Sequence, residues 1–115
     1  MAVTVIWHNP RCTKSRATLA LLEERGLDIE VRRYLEDAPN AAELREALRK
    51  LNLPAIEMMR RGEARFKELS LKKSDPEDRL LNAMAENPIL IERPIVFANG
   101  KAAIGRPPEA VLEIL

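Results

Sequence analysis

The chain reads Trp7-His8-Asn9-Pro10-Arg11-Cys12-Thr13-Lys14-Ser15-Arg16 near its N-terminus. The apolar run before these residues, 3–7, predicts a strand, and the amphipathic run after them, about 15–25, predicts a helix. Cys12 is therefore expected in a strand-to-helix loop, where free backbone N–H groups and the positive end of the helix dipole meet. Such a place binds oxyanions and favours a thiolate over a thiol.

Cys12 is the only cysteine of the chain, and we predict that it is a nucleophile. Reactive cysteines occupy electropositive, partly exposed sites, and Arg11, Lys14 and Arg16 supply local positive charge. The Ser15 hydroxyl is expected to donate a hydrogen bond to the sulfur anion three residues back. The alternative is a small buried apolar side chain, which is what most lone cysteines are.

The composition narrows the classes of protein and of partner. The 115 residues are 46% hydrophobic and 32% charged, which is typical of a globular protein, and the net charge of +1 gives no general attraction to nucleic acid or membrane. A single cysteine excludes an internal disulfide and a multi-cysteine zinc site, and we expect neither a metal nor a bound cofactor. Without an apolar run of about 18 residues or a basic leader, we expect a cytoplasmic protein. We also expect it to be a monomer.

The order of elements predicts the fold class. A second strand is expected over 29–34, so that the first strand, the helix and this strand form a right-handed βαβ unit. The region of about 38–88 looks wholly helical. Within it, Asn40 is expected as an N-cap with Glu43 at N3, and Asp75 as the N-cap before Pro76.

The C-terminal part returns to β-structure. Asn99-Gly100 is a strong hairpin signal and links predicted strands over 95–98 and 101–104, and a short helix is expected over 109–115. We therefore predict one α/β domain, 1–115, with a thioredoxin-like mixed sheet and a helical insertion between the βαβ unit and the C-terminal hairpin and helix. Pro94 is a candidate for the cis-proline that such folds place opposite the active-site loop.

Three arginines are candidate ligands for an oxyanion. Arg93 just precedes a predicted strand and Arg106 just follows one, so both are expected at the same end of the sheet as Cys12, and Arg60 ends a short helix of the insertion. Planar guanidinium groups offer a fork of donors to a tetrahedral anion, and their charge would lower the pKa of Cys12. His8, the only histidine, could tune the thiolate or be structural.

These motifs resemble the glutaredoxin-coupled arsenate reductases. The resemblance rests on residues 8–18 with Cys12, on Tyr34-Leu35, on Met59-Arg60, on 88–95 and on Gly105-Arg106-Pro107. It implies a thioredoxin-like fold, arsenate as the substrate, glutathione as co-substrate and glutaredoxin as the partner that helps complete reduction to arsenite. It further implies that Cys12 is the nucleophile and that three arginines bind the oxyanion, namely Arg60, Arg93 and Arg106. The supporting loop residues that it implies are His8, Ser15 and Arg16.

Two other functions stay open from the sequence. One is a different glutathione-linked reductase on the same scaffold, although a disulfide substrate would not need three anion-binding arginines. The other is a non-catalytic binding protein or regulator, whose Cys12 would have an ordinary pKa. A phosphatase of the tyrosine-phosphatase type is excluded by spacing, since Cys12 is followed by Arg16 and not by an arginine six residues on.

With no second cysteine, an adduct on Cys12 must be resolved by an outside thiol.

Overall fold

A computed structural model describes residues 3–115 of the chain. The chain divides into two compact units, one comprising the part up to Asp37 together with Arg93–Leu115 and the other comprising Ala38–Glu92. The predicted helical insertion, about 38–88, lies within the second unit. No helix in residues 3–115 is both long enough and apolar enough to cross a lipid bilayer.

The first unit is built on a four-stranded mixed sheet of order β2-β1-β3-β4. β1 pairs with β2 in parallel and with β3 antiparallel, and β3 pairs antiparallel with β4. This arrangement confirms the predicted thioredoxin-like fold class and the central place of β1. Its elements are β1 Thr4–Trp7, α1 Thr13–Glu24, β2 Ile29–Arg32, β3 Ile95–Ala98, β4 Lys101–Ile104 and a 3-10 helix Pro108–Ile114.

One face of this sheet carries the core of the first unit. Ile6 of β1 pairs with Val96 of β3, and both are fully buried in a cluster with Leu22 of α1 and Val111 of the last helix. Because side chains alternate across a strand, only every second residue of β1 can reach this cluster. The helix after Cys12 is thereby held against the sheet, with its first turn at the carboxyl end of β1.

The hairpin prediction is confirmed. Asn99 and Gly100 both have positive φ, 53° and 76°, as a two-residue type I′ turn requires. Several boundaries differ from the sequence expectation: α1 begins at Thr13 rather than at about residue 15, β2 ends at Arg32, two residues before Tyr34, and the last helix begins at Pro108 with 3-10 geometry. Two consecutive prolines at 107–108 lack N–H donors and fix φ, which shifts the start of that helix.

The second unit is helical. α2 packs against α4, and both bury leucine-rich faces that include Leu44, Leu48, Leu80 and Leu81. The elements are α2 Ala41–Leu51, a 3-10 helix Ala55–Met58, α3 Ala64–Glu68, α4 Glu77–Glu86 and a 3-10 helix Pro88–Leu90.

The two helix starts predicted in the second unit have different outcomes. Asn40 and Glu43 form the predicted capping box. The N-cap prediction for Asp75 is wrong: the N-cap of α4 is Pro76, and the Asp75 carboxylate accepts the Lys72 N–H at 2.8 Å instead. A short Asp side chain can serve either the turn before it or the helix after it, and here the turn prevails.

Candidate active site

The cysteine loop connects β1 to α1 and is closed by its own backbone. The Cys12 N–H donates to the Asn9 carbonyl at 3.0 Å, and the Cys12 carbonyl accepts the Arg16 N–H at 3.0 Å. Cys12 is the N-cap of α1, with φ −93° and ψ 123°. Its half-buried side chain therefore lies where the first N–H groups of the helix have no carbonyl partner within the helix.

The surroundings of the thiol favour its ionised form. Burial raises the pKa of the Cys12 thiol, but hydrogen-bond donors and cations around it lower the pKa by more. In order of size, they are the Ser15 N–H, the Arg93 guanidinium, the Lys14 N–H and the Arg106 guanidinium. The pKa of Cys12 thus lies below its ordinary value, as the loop's position at a helix N-terminus predicted.

Two arginines of the first unit are placed around the thiol by the hairpin. Arg93 precedes β3 and Arg106 follows β4, so the antiparallel pairing brings both to one end of the sheet. The Arg106 Nη2 lies 4.0 Å from the Cys12 sulfur, and the Arg106 Nε donates to the main-chain oxygen of Arg93 at 2.9 Å. The peptide bonds before Pro94 and Pro107 are cis; this geometry was expected of Pro94 and was missed for Pro107.

His8 and Ser15 form a buried polar pair beneath the loop. A hydrogen bond of 2.6 Å joins His8 Nδ1 to the Ser15 hydroxyl, which also accepts the Asn9 N–H at 3.0 Å. Burial lowers the pKa of His8, and the nearby cations of Arg33 and Arg16 lower it further. These surroundings therefore favour the neutral imidazole.

The expected hydrogen bond from the Ser15 hydroxyl to the Cys12 sulfur is wrong, because this hydroxyl bonds to His8 and to the Asn9 N–H instead. Ser15 acts on Cys12 through its backbone N–H, while its fully buried hydroxyl serves His8 and the loop. The reason is geometric: a side chain at the third residue of a helix projects away from the N-cap, whereas its N–H projects toward it. The supporting role of Ser15 stays a prediction, and the contact that was expected to provide it is replaced by a different one.

Arg16 braces the outside of the loop. Its Nη1 donates to the Pro10 carbonyl at 2.8 Å and its Nη2 to the Thr13 hydroxyl at 3.3 Å. These contacts tie the segment before Cys12 to the first residue of α1. The predicted supporting role of Arg16 stays a prediction, and these two contacts are consistent with it.

Arg60 belongs to the second unit. Its N–H donates to the Leu90 carbonyl at 2.8 Å, and its guanidinium pairs with the Glu63 carboxylate at 3.2 Å. The local fold therefore anchors the backbone of Arg60 and gives its side chain an acidic neighbour. Its assignment to the oxyanion site stays a prediction.

The sequence points to Gly105 only as part of a motif and does not show why this residue is a glycine. Gly105 packs so closely against Thr18 of α1 and against Pro94 that a Cβ would lie 2.6 Å from the Thr18 hydroxyl oxygen. Its φ is not positive, so local turn chemistry does not require a glycine there. Only the meeting of three distant segments shows why residue 105 is glycine.

A thioredoxin-like sheet with one cysteine at a helix N-terminus and arginines beside it defines a single-thiol protein of the thioredoxin-like class. Comparisons with known proteins narrow this class. The model of the ArsC family matches residues 7–114. The chain therefore belongs to the ArsC family.

Individual relatives match over almost the whole chain. The uncharacterized protein YfgD of Escherichia coli is 56% identical over 112 residues, which cover 96% of this chain and 94% of that protein. The arsenate reductase of Neisseria meningitidis serogroup B is 51% identical over 112 residues, with 96% of each chain covered. The solved structure of an arsenate reductase from Vibrio cholerae is 52% identical and has a TM-score of 0.95, with 99% of this chain and 98% of that chain covered.

Proposed function

We propose that this protein is a cytoplasmic, monomeric arsenate reductase that uses the Cys12 thiolate as its nucleophile and depends on glutathione and glutaredoxin. The observation that carries the proposal is the 4.0 Å approach of the Arg106 Nη2 to the Cys12 sulfur at the N-terminus of α1. This arrangement offers an anion both a nucleophile and hydrogen-bond donors. Relatives named arsenate reductase at about half identity support the choice of oxyanion.

The arginines bind the substrate oxygens in this proposal. Arg93 and Arg106 act on the sulfur from the end of the hairpin, and a tetrahedral oxyanion above the sulfur would meet the same two cations. Arg60, whose guanidinium pairs with the Glu63 carboxylate at 3.2 Å, is proposed as the third ligand by resemblance alone. A guanidinium fork suits an arsenate edge because it donates two parallel hydrogen bonds.

The reaction begins with two displacements at arsenic. The Cys12 sulfur bonds to arsenic, and one arsenate oxygen leaves as water after taking up protons. A glutathione thiol then displaces a second oxygen, which also leaves as water, so that arsenic(V) carries both sulfurs. Both steps need a thiolate that attacks arsenic while nearby arginine side chains hold the arsenate oxygens. The same arginine side chains, Arg93 and Arg106, lower the pKa of Cys12.

Reduction follows by transfer of the glutathione sulfur. The glutaredoxin thiol attacks that sulfur and forms a mixed disulfide, and the electron pair of the broken sulfur–arsenic bond stays on arsenic, which becomes arsenic(III). Water then takes arsenite off Cys12 and restores the thiol. Outside thiols are required because Cys12 is the only cysteine in the chain.

The test is arsenate-dependent oxidation of NADPH in a coupled assay with glutathione, glutaredoxin and glutathione reductase. We expect turnover that requires arsenate, both thiol components and Cys12. Cys12→Ser should abolish it with the fold intact, since the hydroxyl is close in size to the thiol but is not ionised at neutral pH. Arg25→Ala serves as the matched control, because Arg25 is an exposed cation at the opposite end of α1.

Other outcomes of the same assay would overturn the proposal. Full turnover by Cys12→Ser would remove the nucleophile. Turnover with a small disulfide in place of arsenate would indicate a general glutathione-linked reductase. No turnover with either substrate, together with no binding of arsenate in calorimetry, would indicate a binding protein or regulator.

A further inference from the structure

Gly105 stands at a point where three segments of the first unit meet. A Cβ at this position would lie 2.6 Å from the Thr18 Oγ1, 2.8 Å from the Pro94 Cγ and 3.3 Å from the Pro94 Cδ. Close-packed interiors do not accommodate heavy atoms so near each other without displacement. The backbone at residue 105 therefore comes closer to α1 and to Pro94 than any other amino acid would allow.

Both walls of this contact are held in place. Thr18 is fully buried, and its hydroxyl donates to the Lys14 carbonyl at 2.8 Å, one turn back along α1. Pro94 is buried as well, and its carbonyl accepts the Gly105 N–H at 2.9 Å. A side chain at residue 105 would consequently push its own strand end away from them.

The next residue along the chain is the one that faces the thiol. Arg106 is half-buried, its Nε is bound to the Arg93 carbonyl at 2.9 Å, and its Nη2 lies 4.0 Å from the Cys12 sulfur. Both contacts are made from a backbone whose position depends on the absence of a side chain at residue 105. A small displacement there is passed directly to the guanidinium.

We propose that Gly105 and Thr18 are positioning residues, which set the distance between the Arg106 guanidinium and the Cys12 sulfur. They act through Arg106 rather than on the reacting atoms. The inference goes beyond the proposed function, because it holds for whatever substrate the thiol attacks.

The test uses Gly105→Ala and reads the pKa of Cys12 from the pH dependence of thiolate absorbance and of alkylation rate. Four groups act on that sulfur, the N–H donors of Ser15 and Lys14 and the cations of Arg93 and Arg106, and only the last is expected to move. We expect the pKa to rise by about half a unit, which corresponds to about 1 Å of added separation at an effective dielectric constant of about 20. Alkylation near neutral pH should then slow by up to about threefold.

The matched control is Gly62→Ala. A Cβ at residue 62 meets nothing within 4 Å, and the φ of Gly62 is not positive. This variant therefore makes the same glycine-to-alanine substitution without a steric conflict. Its Cys12 should titrate as in the wild type. A folded Gly105→Ala protein with the wild-type Cys12 pKa would overturn the proposal.

Thr18 is tested by a double variant. Gly105→Ala combined with Thr18→Ala removes the atom nearest to the new Cβ, so its Cys12 pKa should lie closer to the wild-type value than that of Gly105→Ala alone. The rescue should be partial, because the Pro94 ring still lies 2.8 Å away. If the change in the Cys12 pKa in the double variant equalled the sum of the changes in Gly105→Ala and Thr18→Ala, Thr18 would be excluded as a positioning residue.

A second pair of variants covers the case in which Gly105→Ala does not fold. Thr18→Val replaces the hydroxyl by a methyl group that crowds the Gly105 backbone, whereas Thr18→Ser keeps the oxygen in place. We expect Thr18→Val to raise the pKa of Cys12 and Thr18→Ser to leave it unchanged; equal values in the two would contradict the proposal. No arsenate enters these titrations, so their failure and that of the proposed function are distinguishable.

Discussion

The Arg106 Nε donates to the main-chain oxygen of Arg93 at 2.9 Å, so that the two arginines at the ends of the hairpin are joined directly to each other. The same Arg106 guanidinium reaches the Cys12 sulfur at 4.0 Å. One side chain thus connects the hairpin to the cysteine loop. Substitutions at either arginine should therefore affect both the anion site and the thiol.

Arg93→Ala and Arg106→Ala should each weaken the capture of the oxyanion. A hydrogen bond to a charged group contributes roughly 1.5–3 kcal/mol, so kcat/KM for arsenate should fall about tenfold to a hundredfold in each variant. Both should also raise the pKa of Cys12, because both cations lower it in the folded chain. Arg25→Ala is the control, and unchanged kinetics in both arginine variants would remove them from the site.

The reactivity of Cys12 should depend on pH with a midpoint below that of an ordinary thiol. We expect alkylation by iodoacetamide to titrate below the value of about 8.5 for a free cysteine, and the same chain unfolded in urea gives the reference. If the midpoint pH of alkylation in the folded chain were equal to or higher than that in the unfolded chain, the surroundings of the sulfur would not favour its thiolate.

The same shift in pKa links the charge of Cys12 to folding stability. An acidic group whose pKa is lower in the folded state stabilises the fold above its unfolded pKa, and this contribution is lost as the pH falls through the folded pKa. Urea unfolding across that pH range should show this loss in the wild type and not in Cys12→Ser. Identical pH profiles of the two proteins would argue against it.

His8 should make the fold less stable in mild acid. Because burial and the cations of Arg33 and Arg16 lower its pKa, the unfolded chain binds a proton on His8 at a higher pH than the folded chain does. The free energy of unfolding should therefore decrease as the pH falls through about 6.5 toward the folded pKa. His8→Asn, which has no titrating group, should lose less stability over this range, and parallel curves for both proteins would count against the assignment.

Asn40→Ala should destabilise the second unit through its helix cap. The Asn40 Oδ1 accepts the Glu43 N–H at 2.8 Å, and the Glu43 carboxylate accepts the Asn40 N–H at 3.1 Å. Loss of an N-cap costs about 1 kcal/mol, measurable as a lower urea midpoint. Asn82→Ala, at an exposed position within α4, is the control and should not lower stability; an equal loss in both would rule out capping as the cause.

The predictions that succeeded depend on short-range contacts. The capping box joins residues three apart, and the hairpin turn depends on two adjacent residues that tolerate positive φ. The place of Cys12 at a helix N-terminus likewise follows from one apolar run and one amphipathic run on either side of it. In each case the deciding interaction is contained within a few residues.

Two of the predictions that failed concern polar side chains with more than one partner in reach. The Ser15 hydroxyl could serve the sulfur or His8, and the Asp75 carboxylate could cap a helix or a turn. Sequence spacing does not rank such partners. The choice depends on small differences in the local backbone path, and spacing does not specify that path. Only the folded backbone decides between them.

The sequence by itself determined the order of strands and helices, the fold class and the identity of the thiol, because periodicity, capping and turn chemistry act locally. The tertiary structure alone decided that Arg106 meets a sulfur 94 positions away in the chain and that Gly105 lies against Thr18. Both contacts depend on how the hairpin packs on α1, which is set by the shared core of Ile6, Leu22 and Val96 rather than by any single segment. Distances between segments far apart in the chain result from packing, and a sequence pattern contains no measure of them.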